Sequence, residues 1–146
     1  MKRSDALRSL SREHHQALSV GRDLRRADDP ERAATRFLDF WDREGAFHFR
    51  IEEEVLLPCW ELLGRVDAEG AARLAKEHRE LRAAALEVAA DGASLSSLHA
   101  LGEKLTGHVR FEERELFPMI EGDLDTVGLE RLARAVADAE AQADRP

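Results

Sequence analysis

The chain has 146 residues, 36% of them charged and 43% hydrophobic, with four prolines and no tyrosine. That length suits a single domain over residues 1–146 with a real core, and a mixture led by Ala, Leu, Glu and Arg favours long helices over strands. A formal charge of −8 argues against nucleic-acid binding, one cysteine excludes an internal disulfide, and no stretch approaches the ~20 apolar residues that span a bilayer.

The N-terminal residues start basic but hold no apolar run of the signal-peptide kind, so the cytoplasm is the expected compartment. Ser4 is expected to cap a first helix to about Ala27, with Leu7, Leu10, Leu18 and Leu24 at helical spacing. Asp28-Asp29-Pro30 reads as a stop and restart, with Asp29 as N-cap and Pro30 in the first helical position. A second helix follows to about Leu57, where Pro58 ends or kinks it. Gly64 and Asp67 mark a turn, and a third helix spans about Ala68 to Ala90. After the loop Asp91-Gly92-Ala93-Ser94, a fourth helix runs from about Leu95 to Phe117, with Pro118 marking its end. Gly122-Asp123 breaks the chain again, a short amphipathic helix covers about 126–141, and the tail Gln142 to Pro146 is expected to fray. Short connections leave no room for strands. The expected fold is all-α: an up-down-up-down four-helix bundle over about residues 5–120 with a short additional C-terminal helix. That last helix would cap the bundle or pack against a second copy in a homodimer.

The two halves repeat. His48 to Pro58 reads HFRIEEEVLLP and His108 to Pro118 reads HVRFEERELFP, identical at six of eleven positions. Upstream, Leu10-Ser11-Arg12-Glu13-His14 matches Leu74-Ala75-Lys76-Glu77-His78. Each half is one helix with L-x-x-E-H and one with H-x-x-x-E. Such pairs bring like residues together about a pseudo-two-fold axis.

Residues i and i+4 share a helix face. His48 projects with Glu52, and His108 with Glu112. In the fourth helix both continue a stripe of Leu98, Leu101, Leu105, Leu116 and Met119; in the second they follow Phe37 and Trp41 and precede Val55. In the third helix the stripe is Leu74, His78, Leu81 and Ala85. Helix one offers two adjacent candidates. His14 lies on the apolar seam and aligns with His78, so it is preferred; His15, beside Arg8, Ser11 and Arg22, stays the alternative.

Two inward carboxylates without cationic partners on the stripes would each cost several kcal/mol to bury, on the order of 3–5. Metal cations remove that cost. Four His and two Glu, with no thiolate, suit iron, manganese or zinc. Two bridging carboxylates can hold two ions close together, and a bridging oxo or hydroxo group would leave each ion one open position. Glu53, Glu54, Glu113 and Glu115 are expected on a solvated face. Glu53 and Glu113, and likewise Glu13 and Glu77, have the alternative of accepting from a ligand histidine. Cys59 and Trp60 read as packing or partner-contact residues, Phe37, Trp41 and Phe47 as core, and His99 as surface.

The duplicated H-x-x-x-E-E-x-x-x-x-P, with one further His on each partner helix, resembles the hemerythrin-like (HHE cation-binding) family. The resemblance covers about residues 7 to 120. It implies a four-helix bundle around a di-iron site, with His14, His48, His78 and His108 as terminal ligands and Glu52 and Glu112 as bridges. Oxygen-carrying hemerythrins have five His, two of them one turn apart on the third helix. Here the positions flanking His78 by one turn are Leu74 and Arg82. The simpler set implies a non-haem di-iron protein that binds or senses oxygen or another small diatomic, or iron status. The alternatives are a di-iron enzyme handling peroxide, nitric oxide or ferrous iron oxidation, and a metal-free helical interaction module.

Overall fold

The computed structural model describes residues 2–143, and every regular element among them is helical. We number five helices. Helix α1 is Asp5–Arg25 and α2 covers residues 30–63; α3 is Ala68–Asp91, α4 covers residues 95–123, and α5 is Thr126–Ala143. None is long and apolar enough to cross a membrane.

Local chemistry sets most of the starts. The Asp29 carboxylate accepts from the backbone N–H of Glu31 at 3.0 Å and of Arg32 at 3.3 Å, with Pro30 next in line. Asp67 accepts from Gly70 N–H at 2.8 Å, and the Ser94 hydroxyl from Ser97 N–H at 3.1 Å. Gly92 ends α3 with a φ of 53°, the left-handed region that glycine adopts at least cost. Ser4 stands before α1 as expected, but its hydroxyl caps nothing; its backbone N–H donates to Glu121 at 2.6 Å. Residues 144–146 of the expected tail lie outside the described residues, whereas Gln142 and Ala143 belong to α5.

The prolines do not end their helices. Helix α2 continues through Pro58 to Leu63, and α4 through Pro118 to Asp123. The reason is a π turn just before each: Glu52–Leu56 and Glu112–Leu116. There the Leu57 N–H bonds to the Glu52 carbonyl and the Phe117 N–H to the Glu112 carbonyl, five residues back. A proline has no N–H for the carbonyl four back, and its ring crowds that group. A π turn widens the helix by one residue and skips one carbonyl, so the two defects absorb each other. A third π turn, Trp41–Gly45, lies only in α2.

These turns also shift the buried stripe. Phe40 and Leu56 are buried in α2 where Trp41 and Val55 were expected, and Ile120 replaces Met119 in α4. In α1, Ala17 and Val20 are buried while Leu18 is half-buried. Phe37 is in the core, and Trp41 and Phe47 are half-buried against it.

The core falls into two apolar clusters. One holds Leu7, Leu10, Leu56, Trp60, Leu74 and Leu116. The other holds Val20, Leu24, Phe37, Leu81, Leu98 and Leu105. Helix α1 therefore starts in the first cluster and ends in the second, α2 returns, and α3 and α4 repeat the excursion. Helices α1 and α4 pack especially closely: a Cβ at Gly102 would stand 2.7 Å from the Gly21 carbonyl oxygen and 2.8 Å from Leu24 Cβ. Helix α5 lies along α1 and α2, burying Leu132 and Val136. At that end Asp123 ties the two halves, accepting from Trp60 Nε1–H and Arg65 N–H, both at 2.7 Å. Trp60 is thus a packing residue, and Cys59 is a half-buried free thiol.

Candidate metal centre

Between the two apolar clusters lies one polar layer. Each long helix of the first four crosses it once: α1 with His14, α2 with His48 and Glu52, α3 with His78, and α4 with His108 and Glu112. All six side chains are buried, both carboxylates completely. His15 points outward and is exposed, one residue and about 100° of helix away from His14. His99 is remote and half-buried, with Nε2 at 2.7 Å from the Ala27 carbonyl oxygen.

The six side chains converge. His14 Nε2 is 2.9 Å from Glu112 Oε2, His108 Nε2 is 3.0 Å from Glu112 Oε1, and His78 Nε2 is 3.1 Å from Glu52 Oε1. His48 Nε2 lies 3.3 Å from Glu52 Oε2 and 3.9 Å from Glu112 Oε2. Two donor sets result, His14–His48–Glu52–Glu112 and Glu52–His78–His108–Glu112, each with one atom per residue within 4.8 Å of all the others. The sets share both carboxylates.

Close approach has not satisfied these atoms. His48 Nε2, both Glu52 oxygens, His78 Nε2, His108 Nε2 and Glu112 Oε1 are buried without a directed hydrogen bond. Buried polar atoms are ordinarily paired, and each orphan costs about 1–3 kcal/mol. Unsatisfied nitrogen and oxygen atoms gathered this closely suit a shared cation. The donor set is oxygen and imidazole nitrogen without sulfur, which fits a borderline transition metal.

The outer nitrogens are held by a second ring of carboxylates. His14 Nδ1 is 3.0 Å from Glu113, His48 Nδ1 3.2 Å from Glu13, His78 Nδ1 2.7 Å from Glu53, and His108 Nδ1 2.7 Å from Glu77. Of the two readings open for these four residues, orienting the histidines is the one realised; Glu54 and Glu115 are solvent-exposed. A carboxylate at Nδ1 keeps the proton there and leaves the Nε2 lone pair facing inward. Three of the four are anchored in turn: Glu53 by both terminal nitrogens of Arg82 (2.8 and 2.7 Å), Glu113 by Arg3 at 2.7 Å, and Glu77 by Arg73 at 2.9 Å. The pattern respects the repeat, since His14–Glu113 and His78–Glu53 are equivalent pairs, as are His48–Glu13 and His108–Glu77.

Charge follows from this packing. Burial by itself would lower the His14 pKa, but bonds to Glu112 and Glu113 outweigh it and raise the value to about 9. Burial is likewise outweighed at His108 by the Glu112 charge and the Glu77 bond, for a value of about 10. Burial would raise Glu113, yet His14 and Ser11 hold it down to about 2. Glu112, against the same burial, is held well below the carboxylate range by His108 and His14. In the absence of a cation His14, His48 and His108 hold their protons more tightly than free imidazoles, opposite the Glu112 carboxylate. Bound metal would supply that positive charge instead.

Phe49 stacks on His78 at 3.8 Å and meets His108 edge-on at 5.3 Å. Beside this ring a cavity of about 20 Å³ is bordered by Phe49, His14, His48 and His108. Its other walls are mainly Ala17, Phe40, Gly45, Leu105 and Val109, with Glu13 and Glu44 also contributing.

The family of the hemerythrin HHE cation-binding domain matches residues 5–143. The chain belongs to this family. No curated protein and no solved structure shows a significant match. The HHE match and the buried His/Glu layer together mark a metal-binding protein. The match also takes in α5, beyond the repeat itself.

Replacing His14 by alanine is expected to lower metal content sharply, whereas His15→Ala should leave both metal content and melting temperature unchanged. Metal analysis of the two purified variants checks this. Loss of metal in His15→Ala alone would reverse the assignment.

Proposed function

We propose that this HHE domain is an up-down-up-down four-helix bundle, closed by α5, that holds two iron ions and binds or senses a small diatomic molecule. His14 and His48 would be terminal ligands of one ion, and His78 and His108 of the other. Glu52 and Glu112 would bridge them. The observation that carries this reading is the pair of donor sets sharing both fully buried carboxylates. Two sets with common carboxylates fit a dinuclear centre better than a single ion, which would leave two of the four histidines without a metal.

Iron at such a centre supplies an open coordination position and accessible redox states. The chain's own contribution is to fix the imidazoles through their outer carboxylates, exclude bulk water with two apolar clusters, and keep one small cavity beside His14 and His48. Where oxygen-carrying hemerythrins have a further third-helix histidine, Leu74 is fully buried and offers no donor, while Arg82 is engaged by Glu53.

Elemental analysis of protein purified from iron-supplemented cells should give about two metal ions per chain; one or none overturns the dinuclear reading. Iron-loaded protein, reduced and cycled between oxygenated and oxygen-free buffer, should show an absorbance change that reverses. An irreversible change on first contact with oxygen would remove the carrier or sensor role.

A further inference from the structure

We infer that Gly45 sets the size of the molecule that reaches the centre, and that the cavity it keeps open takes one neutral diatomic at a time. The inference rests on the dinuclear reading for what the molecule meets, but the cavity can be tested without iron.

The repeat is broken at this point. Three residues before His48 stands Gly45, and three residues before His108 stands Leu105. The backbone breaks symmetry there too: the π turn Trp41–Gly45 has no counterpart one turn before His108, where α4 is regular from Leu95 to Phe111. The cavity lies on the side where the leucine is missing, lined by Gly45 itself and by Leu105 across from it. A Cβ on Gly45 would meet Trp41 Cε3 at 2.9 Å and Phe40 Cε2 at 3.0 Å. Phe40 is a cavity wall, so even a methyl group must displace a ring that bounds the space.

About 20 Å³ accommodates a single water-sized molecule. The walls beside Gly45 are apolar, and the nearby acidic groups Glu13 and Glu44 would repel an anion. A charged ligand would lose hydration in passing these walls. A neutral diatomic such as oxygen or nitric oxide fits both constraints.

Two measurements on the full chain test this. In the zinc-loaded, diamagnetic protein, xenon pressure should shift the methyl resonances of Ala17, Leu105 and Val109, and Gly45→Ala should lose those shifts. In the reduced iron-loaded protein, Gly45→Ala should slow nitric oxide association about tenfold or more, the effect of one overpacked methyl on a barrier. Its metal content should stay that of the wild type. A folded Gly45→Ala variant that takes up xenon and nitric oxide like the wild type overturns the inference. Where that variant does not fold, Leu105→Ala replaces it: the enlarged cavity should speed association, and an unchanged rate is equally fatal. Wild-type protein that shows xenon shifts but holds no metal sinks the dinuclear reading alone. Wild-type protein that holds two ions without xenon shifts sinks this inference alone.

Discussion

Glu112→Ala is expected to strip metal from the protein and to lower its melting temperature in the same step. Glu112 approaches all four histidines, at 2.9 Å from His14, 3.0 Å from His108, 3.9 Å from His48 and 4.0 Å from His78. It belongs to both donor sets, so its loss damages both positions at once. A ligand present at ~1,000 times its dissociation constant stabilises the native state by about 4 kcal/mol. For a chain of this size each kcal/mol moves the midpoint by about 2–4 °C, so the drop should be about 8–16 °C. Glu112→Gln keeps the volume but replaces one oxygen by an N–H donor, and should lose metal nearly as completely. Glu115→Ala, at an exposed position three residues on, should change neither quantity. Melts in excess chelator separate the ligand role from a packing role. If Glu112 acts through metal, wild type and variant should melt closer together once both are stripped. An equal gap with and without chelator would make Glu112 a structural residue only.

Much of this was legible in the chain because the constraints were local and doubled. A lone histidine on an apolar stripe says little, but His14 and His78 in matching L-x-x-E-H segments, and His48 and His108 in matching H-x-x-x-E segments, fix one another's phase. The repeat also decided between adjacent residues, since only His14 aligns with His78, and the structure places His14 inward and His15 outward. Helix content and most boundaries followed from caps and breakers for the same reason. Apart from Leu18 in the regular helix α1, what sequence periodicity missed lies at or next to the π turns. A reading at 3.6 residues per turn has no register for an inserted residue, so it placed Trp41, Val55 and Met119 where Phe40, Leu56 and Ile120 are buried. It also ended two helices at prolines that a π turn accommodates. The outer carboxylates were harder still. Whether Glu53 meets water or His78 depends on how α2 and α3 sit against each other, which no spacing within one helix reports. One signal was present: Glu13 and Glu77 recur beside the E-H histidines, and Glu53 and Glu113 recur beside the inward Glu52 and Glu112.

That outer ring supports the last prediction. Glu53→Ala is expected to weaken metal binding by about 10–100-fold while leaving the helical fold intact, the usual cost of removing a ligand's orienting partner. Glu53 receives His78 Nδ1 at 2.7 Å and is itself clamped by Arg82 through two bonds of 2.8 and 2.7 Å. His78 is also stacked on Phe49, which orients its ring plane, but the position of its proton is fixed by Glu53. Without the carboxylate, the Nδ1–H loses its acceptor, and the tautomer with the proton on Nε2, which cannot bind metal through that atom, is no longer disfavoured. Glu53→Gln retains an acceptor without the charge and should fall between wild type and alanine. Arg82→Ala leaves the carboxylate in place, only less firmly held, and should cost less than Glu53→Ala. Glu54→Ala, exposed one residue away, serves as the control. Competition against a chelator of known affinity measures all four. The order wild type, Arg82→Ala, Glu53→Gln, Glu53→Ala follows if charge-assisted orientation of His78 is what Glu53 provides. Equal affinities for wild type and Glu53→Ala would mean that stacking on Phe49 suffices to hold the imidazole, and that the outer carboxylates serve solubility instead of the metal.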